Sequence, residues 1–319
     1  MRCGISFGYT AEMSFSNRKT TAPTKLGEAI DHCCRELESS DAFFGHGTDN
    51  AWDEAVQLVL AVAQLPADSG QEVLHRELRS AQQAELRSLL HRRIHEQVPL
   101  PYLLGRAWFA GLEFLCDPRA IVPRSPLAEL ILNGFQPWYF GPAPRRILDL
   151  CCGGGCIGLA AAHYYPNCRV DLVDIDRDAL ALSHDNRALL ELPQERVRII
   201  QSDGFADLGN TRYDIILTNP PYVDALALES MPREYHAEPA LALASGPDGL
   251  DLTRRILARA GEFLTETGLI IGEVGHSWRS LERCFPTIPF TWIECEDGGE
   301  GVFVMSAQEL QKYGDCWQN

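Results

Sequence analysis

No apolar stretch in this 319-residue chain approaches the roughly 20 residues that a membrane-spanning helix requires. Basic side chains are scarce as well. The 28 Lys and Arg stand against 44 Asp and Glu, for a formal net charge of −16. Such a surface repels phosphate backbones, and no local basic patch offsets it, so direct sequence-specific binding to nucleic acid is not expected. A basic protein is the partner this charge suits. The 11 cysteines include no C-x-x-C pair. Zinc needs four converging ligands, usually as two short-spaced pairs, so no metal is expected. A disulfide framework is equally invisible, which points to reduced thiols in a cytoplasm. The first 24 residues are Ser/Thr-rich and lack the apolar core of a secretory signal. They read as a disordered tail, with Met13 an alternative initiator.

What is present divides the chain. From Leu26 to about Ile94 apolar residues recur every three to four positions, as in Trp52-Asp53-Glu54-Ala55-Val56-Gln57-Leu58-Val59-Leu60. Breaks fall at Gly45-His46-Gly47 and Leu65-Pro66, with Thr48 or Asp49 placed to cap the next helix. Residues 25–97 are thus expected to form a small helical domain that orients a substrate, with His46 and Asp49 as turn and capping residues. Residues 98–140 read as a linker carrying an aromatic-rich hairpin, Ala107 to Leu115. Beyond Gly141-Pro142-Ala143-Pro144, strands and helices alternate over residues 141–307. Strands are predicted at Ile147–Leu150, Val170–Asp174, Val197–Gln201, Tyr213–Asn219 and Leu269–Val274, with helices between them. That alternation argues for an α/β fold with a doubly wound, mostly parallel sheet. A closing hairpin, Phe290–Glu294 with Val302–Met305, would make the last strand antiparallel. Residues 308–319 read as a tail.

The segment Asp149-Leu150-Cys151-Cys152-Gly153-Gly154-Gly155-Cys156-Ile157-Gly158 joins the first sheet strand to its helix. Gly153, Gly155 and Gly158 satisfy G-x-G-x-x-G, so a dinucleotide has to be weighed. Asp149 tips the choice. A carboxylate beside the helix N-terminus repels a diphosphate and suits a ligand bearing an ammonium group. S-adenosylmethionine has that amine, a cationic sulfonium and no phosphate. Asp174 closes the second strand, where a carboxylate accepts ribose hydroxyls. Gln201-Ser202-Asp203-Gly204-Phe205 closes the third, placed to meet an adenine edge; for Asp203 alone a solvated turn is the alternative. The expected cofactor contacts are Asp149, Cys151, Cys152, Gly153, Gly154, Gly155, Asp174, Asp203, Gly204 and Asn219, with S-adenosylhomocysteine as product.

Asn219-Pro220-Pro221-Tyr222 ends the fourth strand. Proline holds Asn219 extended, and two successive prolines carry no N–H. The strand end therefore presents one carboxamide, one backbone carbonyl and one aromatic ring. Two acceptors complement an NH2 group. A Pro-rich turn is the plain alternative, but open α/β sheets bind ligands at these carboxyl ends. An amino-group clamp beside a methyl sulfonium is a methyl-transfer site.

Taken together these residues resemble the class I S-adenosylmethionine-dependent methyltransferases, and more narrowly the protein glutamine N(5)-methyltransferase family. The resemblance runs from about Leu26 to Ser306. It rests on Ile147-Leu148-Asp149-Leu150 with the glycine loop, Asn219-Pro220-Pro221-Tyr222, Glu238-Pro239-Ala240-Leu241-Ala242-Leu243 and Asp248-Gly249-Leu250. It implies a seven-stranded sheet plus the helical domain. Phe44-Gly45-His46-Gly47-Thr48-Asp49-Asn50-Ala51-Trp52-Asp53-Glu54-Ala55 and Val122-Pro123-Arg124-Ser125-Pro126 resemble the subgroup acting on large-subunit ribosomal protein three, free or in the assembling ribosome. The release-factor subgroup usually has an acidic pair after Pro-Arg. Adenine N(6) and guanine N(2) methyltransferases use a similar clamp but need a basic face or a target-recognition domain. Cys151 stands where a glycine is usual, a tolerable place for a small thiol. On this reading Asn219 and Pro220 hold the glutamine NH2 while Tyr222 packs on the amide and excludes water, so Asn219, Pro220 and Tyr222 are catalytic and Pro221 completes the substrate site. Asp224, Glu229, Glu234 and Glu238 read as a solvated loop, with an acidic lid that receives a basic substrate segment as the functional alternative.

Overall fold

Helix α1 (Leu26–Glu38) places Leu26, Ala29, Ile30, Cys33 and Leu37 on one buried stripe, the spacing of an amphipathic helix. A computed structural model describes residues 25–296 and 298–318; the tail expected over 1–24 lies outside the described residues. Helix α2 (Ala51–Val62) is capped by Asn50, whose side chain accepts the Asp53 N–H at 2.9 Å. The cap is therefore neither Thr48 nor Asp49, because the capping oxygen must come from the residue directly before the first helical one. Helix α3 (Ser80–His95) and the short α4 (Leu100–Leu104) pack with α1 and α2 around a core of their own that includes Leu37, Leu58, Val59, Leu90 and Leu100.

Strands β1 (Arg106–Phe109) and β2 (Leu112–Leu115) form the expected hairpin. Its turn residues Ala110 and Gly111 have φ of 49° and 77°, the left-handed pair that a two-residue hairpin turn needs. Helix α5 (Leu127–Leu132) leads to β3 (Arg146–Leu150), α6 (Cys156–Tyr164), β4 (Arg169–Asp174), α7 (Arg177–Leu189), β5 (Val197–Gln201) and β6 (Tyr213–Thr218). Then come α8 (Ala225–Ser230), α9 (Asp251–Phe263), β7 (Leu264–Glu273), α10 (Trp278–Cys284), β8 (Thr291–Ile293), β9 (Val302–Ser306) and α11 (Ala307–Lys312).

Seven of these strands form one sheet in the order β5-β4-β3-β6-β7-β9-β8, and only β9 runs antiparallel to its neighbours. Both faces are covered, so the inner strands are apolar throughout. Ile147, Val170, Ile215 and Ile271 face one layer with Leu130 and Leu159, while Leu148, Val173, Ile216 and Ile270 face the other with Ile256 and Leu281. The chain end departs from the sequence reading. Residues expected as a tail from 308 form α11, opened by a capping box between Ser306 and Glu309. Leu310 and Trp317 are buried, and Trp317 meets Phe285 edge-on at 4.9 Å.

Candidate active site

The carboxyl ends of β3, β4, β5 and β6 open on one cavity. Its wall includes Cys151, Cys152, Gly153 and Gly154 after β3, Asp174 at the end of β4, Asp203 and Gly204 after β5, and Asn219 and Pro221 after β6. Four separate strand ends thus bring most of the expected site residues together. Asn219 is half-buried, so its carboxamide stays reachable.

The others stand back from the wall, each for a reason. Gly155 is buried, with φ of 83°; a Cβ there would lie 2.7 Å from Leu172 Cδ2 and 2.9 Å from Ser183 Oγ. The missing side chain lets α6 sit against the sheet. Asp149 lies fully buried beneath the loop, where its Oδ2 accepts the Gly158 N–H at 2.7 Å. Its Oδ1 has no hydrogen-bond partner among the described residues. It pins the start of α6 from below the loop that closes the cavity. Pro220 is buried. Tyr222 donates its hydroxyl to Glu273 Oε1 at 3.1 Å, and its carbonyl accepts from Ser277 Oγ at 2.8 Å.

Asp174 is ordered by two N–H donors, Gly153 at 2.8 Å and Asp176 at 3.0 Å. Desolvation still pushes its carboxyl up. Asp203 is exposed and pairs with Arg255 at 2.7 Å, a solvated contact of little energetic weight. Two cations also reach the wall, and both are taken: Arg119 by Asp117 and Asp185, Arg124 by Glu238. Unpaired positive charge that would suit a diphosphate is therefore lacking on the wall among the described residues. An acidic floor with a side-chain-free glycine cradle above it suits a cationic nucleoside. Among the described residues no group of three or more His, Cys, Asp or Glu is placed to hold a metal ion.

Burial pushes the Asp149 carboxyl up to about 7, the Gly158 N–H offsetting part of this and Asp174 adding to it. The folded chain then keeps a proton that the unfolded chain has lost. The resulting contribution to stability is full below about pH 4 and is lost as pH rises through about 7. Asp149→Asn is expected to flatten that fall in melting temperature between about pH 4 and pH 8. Parallel curves for the two proteins would overturn the assignment.

Cys151 has φ of 63°, the left-handed region, which accounts for glycine being usual at this place. A thiol is small enough to fit but not free of strain. Cys151→Gly is expected to stabilise the protein by about 1 kcal/mol, read as a higher denaturation midpoint. Desolvation pushes the thiols of Cys151, Cys152 and Cys156 up, so they stay protonated and non-nucleophilic.

Sequence reasoning missed the polar scaffold behind the site. Glu238 accepts Arg124 Nη2 at 2.6 Å and the Val122 N–H at 2.9 Å. Arg93, 1% exposed, donates to Glu54, to Glu234 and to the Phe43 carbonyl. Two of the four acids read as a solvated loop or an acidic lid, Glu234 and Glu238, are instead buried in internal ion pairs. Of the other two, Asp224 caps α8 and Glu229 is exposed. His46, expected in a turn, is 3% exposed, packs on Tyr235 at 4.5 Å and is held down to about 3 by burial and by Arg124 and Arg93. The fragments carrying these residues were visible as motifs, but local spacing could not pair them.

Comparison with known proteins fits this geometry. Residues 128–237 match the family described as Methyltransferase small domain. A ribosomal protein uL3 glutamine methyltransferase of Francisella tularensis is 44% identical over 89% of this chain and 90% of its own. One from Xanthomonas campestris is 48% identical over 84% and 86%. The chain belongs to the ribosomal protein uL3 glutamine methyltransferase family. Its seven-stranded sheet with one antiparallel strand is the class I methyltransferase fold. Among solved structures, a T. thermophilus 16S rRNA N2 G1207 methyltransferase in complex with AdoMet and guanosine covers 63% of this member of the uL3 glutamine methyltransferase family and 49% of its own chain, at 20% identity and a TM-score of 0.44. No described helix of this family member is long and apolar enough to cross a membrane.

Proposed function

We propose that the chain transfers a methyl group from S-adenosylmethionine to the side-chain amide nitrogen of a glutamine in ribosomal protein uL3, giving N(5)-methylglutamine. The observation that carries this is the presence of Asn219 on the wall that the glycine loop and Asp174 also form, in a chain 44–48% identical to proteins of that name. When bound, S-adenosylmethionine supplies an electrophilic methyl sulfonium. The chain's own part begins with binding. Asp174 is the acceptor for ribose hydroxyls, Gly153 and Gly154 let the ligand approach the backbone, and Asp149 holds the Gly158 N–H at the start of α6 beneath the cationic end.

The acceptor is harder to activate. An amide nitrogen is a poor nucleophile because its lone pair is shared with the carbonyl, and its proton is too weakly acidic for a side-chain base. Asn219 Oδ1 and the Pro220 carbonyl instead take its two N–H groups and aim the nitrogen. Positive charge grows on that nitrogen as its bond to the methyl carbon forms and the methyl–sulfur bond breaks, leaving S-adenosylhomocysteine. Both acceptors therefore bind the transition state more tightly than the ground state. The cationic nitrogen is then strongly acidic and gives its extra proton to water. With its hydroxyl tied to Glu273, Tyr222 presents a fixed ring that shields the amide from water.

The net charge of −16 favours a basic protein over nucleic acid as partner, and cytoplasmic residence fits the reduced cysteines. The test offers labelled S-adenosylmethionine with purified uL3, release factor and nucleic acid in separate reactions. Label is expected in uL3, at a glutamine. Label confined to release factor would move the reading to the sister subgroup, and label confined to nucleic acid would end the glutamine reading.

A further inference from the structure

Glu273 is the last residue of β7, one position beyond the register pair Thr218–Gly272, so it stands beside Asn219 at the sheet's carboxyl edge. It is 5% exposed, and its two oxygens are divided between two hydroxyls. Oε1 accepts from Tyr222 at 3.1 Å, and Oε2 accepts from Ser125 at 2.6 Å. Burial pushes the Glu273 carboxyl up, and the Ser125 and Tyr222 hydroxyls, with Arg124 (itself bound by Glu238), offset part of this. A buried carboxyl is expensive, and a strand end requires none. What it achieves is directional. A carboxylate only accepts, so both hydroxyl protons are fixed toward it.

Tyr222 is gripped from two further sides. Its carbonyl takes the Ser277 hydroxyl, and its ring lies on Gly275, where a Cβ would come within 2.6 Å of Tyr222 Cε2. A ring held at both ends sets the path of residues 220–222, and with it the direction of the Pro220 carbonyl. We propose that Glu273 is a positioning residue for methyl transfer, orienting Tyr222 and through it the carbonyl that takes the second amide hydrogen. This rests on the reading of Asn219 and Pro220 as the amide clamp.

The test is a double-mutant cycle of Glu273→Gln and Tyr222→Phe on the full chain, with uL3 as methyl acceptor. Each single variant is expected to lower kcat roughly ten- to a hundred-fold by misplacing the acceptor, with KM for S-adenosylmethionine nearly unchanged. The double variant should be no slower than the slower single one. Losses that multiply, a kcat near wild type in Glu273→Gln, or an equal loss of cofactor affinity would each overturn the proposal. Should Glu273→Gln fail to fold, Ser125→Ala frees one carboxylate oxygen and is expected to reduce kcat a few-fold by the same positioning effect; unchanged kcat there would overturn it. Ring dynamics of ¹³C-labelled Tyr222 give a reading independent of turnover. The ring should become mobile in Glu273→Gln even if uL3 proves not to be the substrate, and a ring as rigid as wild type would sink the positioning role alone.

Discussion

Asn219→Ala is expected to lower turnover by ~100-fold or more, about 3 kcal/mol in the transition state, the usual loss for one preorganised hydrogen-bonding group. The affinity for S-adenosylmethionine should stay within a few-fold, because the proposed cofactor cradle lies mainly on other strand ends, where Gly153, Gly154 and Asp174 line the cavity. Truncation to Ala removes one of two acceptors and leaves the other, the Pro220 carbonyl, in place. The amide then retains one hydrogen bond and swings about it, so the nitrogen loses its aim as well as its stabilisation. Single-turnover rates and calorimetric titration of the cofactor separate the two effects. Near wild-type turnover would remove the clamp from the mechanism, and an equal fall in cofactor affinity would make Asn219 a binding residue only.

The second large effect is on stability. Arg93→Met is expected to cost about 3–5 kcal/mol, because it strands two buried carboxylates without their cation. Arg93 Nε lies 3.0 and 3.2 Å from the Glu54 oxygens, and Nη1 lies 2.9 Å from Glu234 Oε1, which also accepts the Phe43 N–H at 2.7 Å. All three side chains are at most 3% exposed. Methionine fills most of the volume, so the loss measures charge rather than cavity. Adding Glu54→Gln and Glu234→Gln should restore part of the loss, since neutral amides need no counter-charge. Guanidinium unfolding curves report both results as midpoints at a constant slope. A loss under about 1 kcal/mol would mean that water reaches the pair and screens it.

The elements of the sheet were legible because each buried strand is a short apolar run between turn residues, as at Tyr213–Thr218 after Thr211 and before Asn219. Asn219 was legible as well, since proline on one side and a strand on the other leave few conformations. The C-terminal helix was missed because Leu310 and Trp317 are too few to show a period, although Ser306 and Glu309 spell a capping box. Asp149 was legible as the end of its strand, but its full burial and its bond to the Gly158 N–H were not, because they depend on how α6 packs over the loop. The scaffold of Arg93 with Glu234, Arg124 with Glu238 and Ser125 with Glu273 joins residues 141, 114 and 148 positions apart. Each member looks alone like a solvated charge or a turn serine. Only the folded topology makes them neighbours.

The order of strands also governs how the protein is made. The last described strand in chain order, β9, lies between β7 and β8 and is bonded to both. Until it arrives, β7 has an open flank beside the apolar residues Ile270 and Ile271, the kind of edge that recruits foreign strands. The segment that seals the sheet is thus made after every other described strand, and until then the nascent chain carries an adhesive edge. A chain whose proposed glutamine clamp is complete by residue 222 remains an unfinished, adhesive sheet for about another eighty residues.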